Sequence, residues 1–189
     1  MIGIFRFITV AAIAAALTTG CSVSLSPSPS PPHPEPLTTM TQGGLCDSLL
    51  TFFGKQLGAV GTNSVPLFGL NEAISPGGIC TVINTESQRS NGRISLRNAP
   101  NALDPTERAV GFTKKTELNE SIWVQDMRTD TKNPGIEVVF ATRIGDWNGQ
   151  LRITESETRT ANGILHLTDE DIHKSAQFLI ELTRRVSKS

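Results

Sequence analysis

Three cysteines and three histidines are the residues best suited to chemistry in this 189-residue chain. They are Cys21, Cys46 and Cys80, with His33, His166 and His173. Thiolates and imidazoles are the usual zinc ligands, nucleophiles and general bases, but those roles require pairs at ligand spacing or a nucleophile beside a base. Here there is no CxxC, no HExxH and no histidine close in sequence to Cys46 or Cys80. His33 sits among prolines, His166 in an LHL stretch and His173 near the start of a helical pattern, all three read as surface or half-exposed positions. GxSxG, GxGxxG and GxxxxGK are absent, and SPGG at Ser75 follows a loop rather than a strand. Asp126, Asp130 and the acids between Thr168 and Asp171 lack the regular spacing and closing glutamate of a calcium loop. No catalytic residue, metal ligand or dissociable cofactor is therefore assigned.

The chemistry that does fit a cysteine here is acylation. Residues 1–20 open with MIGIFRF, run through ITVAAIAAAL and carry Arg6 as their only charge, the pattern of a signal peptide. The apolar part is shorter than the about 20 residues a membrane span needs. It ends in LTTGC, which resembles the lipobox of bacterial lipoproteins, with Thr18 where leucine is preferred. The resemblance implies a diacylglyceryl group on Cys21 and cleavage before it. The expected location is the extracytoplasmic face of the cell membrane, held by that lipid anchor. Residues 21–44 then form a stalk. Pro27, Pro29, Pro31, Pro32, Pro34 and Pro36 favour polyproline II, which at about 3.1 Å per residue spans roughly 30 Å.

Cys46 and Cys80 remain as an even pair in an exported chain, so a disulfide is expected. It would close a loop of about 34 residues and, in the chain-entropy model, contribute roughly 4 kcal/mol. Cleavage removes Arg6 and leaves 16 basic against 18 acidic side chains, a balance with no footprint for nucleic acid. Tyrosine is absent and only Trp123 and Trp147 represent tryptophan, so a broad aromatic recognition surface is not expected.

Residues 45–189 read as one α+β domain. LCDSLLTFFGKQLG places Cys46, Leu49, Leu50, Phe53 and Leu57 on one helical face. Five strand-like segments follow, from Ile79, Arg93, Ser121, Ile136 and Gln150, separated by turn signals at Asn91-Gly92, Asn133-Pro134-Gly135 and Trp147-Asn148-Gly149. Alternation in the fourth segment, with Val138 and Phe140 opposite Glu137 and Arg143, predicts one covered and one wet sheet face. A last helix starts at the N-cap Thr168, with Leu167 and Ile172 as a hydrophobic staple and Arg184 and Arg185 at its end. The expectation is an antiparallel sheet of about five strands with both helices packed on one face.

Three stretches could present a binding surface. VPLFGL exposes Val65, Leu67, Phe68 and Leu70 within a loop expected to be irregular from Gly58 to Gly78. Trp147 is expected at a hairpin tip, as an anchor or folded back on the sheet. The mixed-charge segment 103–121 reads as a mobile connection.

This layout resembles actinobacterial small cell-envelope lipoproteins of the DUF3558-like type. The resemblance rests on the acylated cysteine, the Pro/Ser stalk, LCDSLLTFFGKQLG, GGICTVIN before the first strand and the closing helix DIHKSAQFLIELTRRV. It implies location and fold, with no catalytic residues. The expected function is a non-catalytic binding or assembly module for an envelope protein. The alternatives are a carrier of a lipid or other apolar ligand between helix and sheet, and an enzyme of unknown class.

Overall fold

The computed structural model describes residues 39–101, 111–128 and 137–188. Cys21, His33, the stalk as far as residue 38, Asp130 and the Asn133-Pro134-Gly135 turn lie outside the described residues. Helix α1 (Gln42–Lys55) is followed by strands β1 (Thr62–Pro66), β2 (Gly77–Asn84), β3 (Ser90–Asn98), β4 (Thr113–Glu117), β5 (Glu120–Asp126), β6 (Glu137–Ile144) and β7 (Trp147–Thr154). A short 3-10 turn (Glu155–Glu157), the two-residue strands β8 (Arg159–Thr160) and β9 (Gly163–Ile164) and helix α2 (Asp169–Ser187) complete the chain.

The fold is α+β, built on an antiparallel sheet of seven strands in the order β1-β2-β3-β7-β6-β5-β4, not five. The five expected segments form its inner strands, and the two extra strands are its edges. β1 lies inside the stretch read as irregular loop, and β4 inside the stretch read as a mobile connection. An edge strand has a partner on one side only and needs no apolar alternation, which is why TNSVP and TKKTE carry so little strand signal.

Two turns also differ from expectation. Asn91-Gly92 is inside β3 next to a register shift at Val82/Ile83, and Gln88 supplies the positive φ (58°) of the actual turn. Ile144 pairs with Trp147, so the β6–β7 turn is Gly145-Asp146, with Gly145 at φ 56°. Trp147 thereby becomes the first residue of β7 and is 3% exposed.

Residues opposed across an antiparallel pair share a face. Gly92, Ile94 and Leu96 of β3 are opposed to Ile153, Leu151 and Gly149 of β7, and this face meets both helices. A Cβ on Gly92 would come within 2.3 Å of Phe53 in α1, and one on Gly149 within 2.2 Å of Thr183 in α2. Phe52 stacks on Phe178 with ring centroids 4.3 Å apart, joining the two helices above the sheet. Leu45, Leu49, Phe53, Phe140, Leu151, Leu179 and Ile180 fill the layer between, each fully buried. The Cys46–Cys80 disulfide crosses it, with Cα atoms 5.3 Å apart.

The helix ends follow from local chemistry. Thr168 accepts a hydrogen bond from Asp171 N, while the Asp171 carboxylate accepts from Thr168 N, a capping box that satisfies two amides left free at a helix start. Thr41 accepts from Gly44 N at 3.1 Å and starts α1 three residues before Leu45. Residues 40–44, assigned to the stalk, are thus part of the fold: Gln42 is 1% exposed and its Nε2 donates to Ile79 O.

The β4–β5 hairpin turns on Leu118-Asn119, both in the left-handed region at φ 49° and 64°. A leucine there is strained, and Leu118 is 40% exposed, so packing does not offset the strain. Combining Leu118→Asn with Asn119→Gly, which installs the usual pair for such a turn, is expected to stabilise the domain by about 1 kcal/mol. A higher urea midpoint with unchanged m would register this.

Candidate functional site

Among the described residues, the edge of the sheet at β1 carries the largest run of half-exposed apolar side chains. Val65 lies near the end of the strand, and Leu67, Phe68 and Leu70 follow it before the chain returns to β2. Their exposures are 45, 58, 48 and 56%. The backbone beneath them is held firmly. Gln42 N donates to Glu72 O and Gly43 N to Leu70 O, both at 2.8 Å, so this loop satisfies amides left free at the start of α1. Ile74 N donates to Met40 O, Leu67 N to Ile79 O, and Gly69 N to the Glu72 carboxylate. Ile74 itself is fully buried, and the adjacent β2 carries the disulfide at Cys80. The loop is therefore fixed at both ends and along its middle, while Leu67, Phe68 and Leu70, with Val65 at the end of β1, stay half exposed to water.

Trp147 does not join this surface. It points into the helix-covered core, because the hairpin turn lies two residues earlier than TrpAsnGly suggests. Trp123 lies on the opposite sheet face, 5% exposed, with Lys114 Nζ 5.1 Å from its ring centroid and Nε1 without a hydrogen-bond partner. Val139 and Ala141, opposed to Arg152 and Gln150, are also buried on that face, so it is less wet over β5 and β6 than alternation implied.

Several of the side chains considered for chemistry have partners within the fold. Asp126 binds Arg128 through both carboxylate oxygens, at 2.9 and 2.6 Å, and this hydrogen-bonded guanidinium holds its carboxyl below the usual aspartate range. Arg128 also donates to Leu167 O and lies 3.7 Å from Asp169, clamping the end of β5 to the start of α2. His173 Nδ1 is 2.9 Å from Glu117 in β4, and Arg184 is 3.2 Å from Glu120 in β5, so both tie α2 to the hairpin below it. His166 is exposed. Among the described residues no group of three or more His, Cys, Asp or Glu side chains is placed to hold a metal ion.

A recess of about 240 Å³ lies between the helices, lined by Phe52, Gln56, Lys174, Gln177, Phe178 and Glu181. It is open to water, and Gln56, Lys174, Gln177 and Glu181 make its lining partly polar. Among the described residues no helix is long and apolar enough to cross a membrane. Comparison with protein-family models, curated proteins and solved structures finds no match to this chain.

Proposed function

We propose that the protein is a non-catalytic binding or assembly module, tethered through a diacylglyceryl group on Cys21 to the extracytoplasmic face of the cell membrane. It engages another envelope protein through the apolar edge formed by Val65, Leu67, Phe68 and Leu70. The observation that carries this reading is the combination of four half-exposed apolar side chains within six residues and a backbone pinned by α1 and β2. A contiguous apolar patch held in one conformation presents a partner with surface to bury at little further ordering cost. Burying the exposed half of each side chain contributes about 1 kcal/mol.

The close seating of both helices on sheet glycines speaks against the carrier alternative. Phe53 and Thr183 already occupy the space that an apolar guest would need at Gly92 and Gly149.

A photo-crosslinking amino acid at position 68, in host membranes, is expected to give one discrete protein adduct. The same probe at Thr51, exposed on α1, gives none. Leu67→Ser with Leu70→Ser removes about 2 kcal/mol of that burial and should weaken binding about thirtyfold, with a matching loss of adduct. Being at the surface, the two changes should leave the unfolding free energy within about 0.5 kcal/mol per site. Equal adducts at positions 68 and 51, or none at 68, would contradict the proposal.

A further inference from the structure

The sheet face turned away from the helices carries a chemically different recess. Because Gly92, Ile94 and Leu96 face the helices, Arg93, Ser95 and Arg97 of β3 face the other way, as do Asn148, Gln150 and Arg152 of β7. The register opposes Arg93 to Arg152, Ser95 to Gln150 and Arg97 to Asn148. β7 is the middle strand of the seven and β3 its neighbour, so these side chains stand at the centre of the sheet, on strands paired on both sides.

Arg93, Ser95, Gln150 and Arg152 line a recess of about 240 Å³. All four can donate hydrogen bonds, and none of the lining residues is acidic. Like charges directly opposed across a strand pair destabilise the sheet unless a counter-charge sits with them. Glu137 supplies one for Arg152, at 3.4 Å and across half-exposed arginine. Among the described residues no carboxylate pairs with Arg93, which is exposed. The surplus does not reflect a basic protein, since the whole chain has a formal net charge of -1.

We infer that this recess is a binding site for a phosphate-type oxyanion, either a phosphomonoester or a phosphodiester. Arg93 and Arg152 line one volume, and two guanidinium groups there suit the tetrahedral array of phosphate oxygens, with the Ser95 hydroxyl and Gln150 amide supplying further donors. A planar carboxylate would leave part of this donor set unused. The recess floor is a β-ladder and its walls are polar, so the rest of the ligand, whether glycerol, sugar or lipid, stays outside. The inference does not depend on the apolar edge at β1 or on the acyl anchor.

The test is thermal unfolding of the full chain in detergent, titrated with inorganic phosphate or glycerol 3-phosphate against chloride at matched ionic strength. Phosphate is expected to raise Tm saturably and chloride is not. Arg93→Gln should weaken phosphate binding about tenfold, from the loss of one charge-assisted hydrogen-bonding fork. It should also raise Tm in the absence of phosphate, because it removes the like-charge opposition to Arg152. Arg97→Gln, one row outside the recess, should retain the phosphate response.

Vesicles of phosphatidylglycerol and phosphatidylcholine then identify the source, using Cys21→Ala so that the acyl chain does not dominate. Retention on either vesicle, lost in Arg93→Gln and kept in Arg97→Gln, assigns a lipid phosphate, and retention on phosphatidylglycerol alone adds that the choline cation is rejected. Response to soluble phosphate without vesicle retention assigns a soluble or polymer-borne one. A phosphate effect no larger than that of chloride, or equal losses in Arg93→Gln and Arg97→Gln, would overturn the site.

Discussion

Replacing Cys46 and Cys80 by alanine together is expected to lower the unfolding free energy by about 4 kcal/mol, in the chain-entropy account of a closed loop of this size. The bond joins residues 34 apart and ties the first half of α1 to the middle of β2. Everything between them, including the rest of α1, β1 and the loop bearing Leu67, Phe68 and Leu70, is restrained by it in the unfolded chain. Against the about 5–15 kcal/mol stability of a typical domain, that loss is severe. Chemical reduction should produce a corresponding fall in Tm, and thiol labelling without reductant should find neither Cys46 nor Cys80. Complete labelling of both in the native protein would contradict the bond.

Gly149→Val is expected to cost about 1–3 kcal/mol, the usual penalty for forcing extra carbon into a packed core. Its Cβ would meet Thr183 Oγ1 at 2.2 Å and Leu179 Cδ1 at 3.0 Å, and Thr183 is fully buried. That hydroxyl also donates to Leu179 O at 2.7 Å within α2, so it cannot swing aside without leaving its acceptor. Adding Thr183→Ala should recover part of the loss, because it removes the atom in the way. Urea unfolding of the single and double variants measures the coupling. The result also bears on function. A helix–sheet layer with room for an apolar guest would absorb the valine at little cost, whereas a filled layer would not.

The parts of this fold that are legible in the sequence are those where periodicity and burial coincide. The Cys46–Phe53 stripe, the Thr168 cap with its acidic first turn, and the apolar alternation around Val138 and Phe140 each follow from one local pattern meeting one covered face. The edge strands offer no such pattern. β4 is exposed along nearly its whole length, and its turn uses Leu118-Asn119 instead of the Asn-Gly pair that marks such hairpins. A two-residue shift in turn position is enough to move Trp147 from the expected hairpin tip into the core.

The candidate surfaces divide in the same way. Val65, Leu67, Phe68 and Leu70 are nearly contiguous, so their joint presentation can be anticipated from VPLFGL, although the hydrogen bonds that fix them run to α1 and cannot. The arginine recess is not visible in the sequence at all. Arg93 and Arg152 are far apart in the chain and belong to segments of unremarkable charge. Only the β3–β7 register makes them neighbours, and register depends on tertiary pairing.

The measurement that tests the account most directly is the intact mass of the protein extracted from its host membranes, with native mass spectrometry of the same material. The account predicts a chain beginning at Cys21, carrying the mass of a diacylglyceryl modification, with no apolar molecule retained by the folded domain. A chain still beginning at Met1 and bearing no lipid would contradict the tether. An additional lipid mass retained non-covalently by the domain, and unaffected by Arg93→Gln, would contradict the filled core and replace the binding module with a carrier.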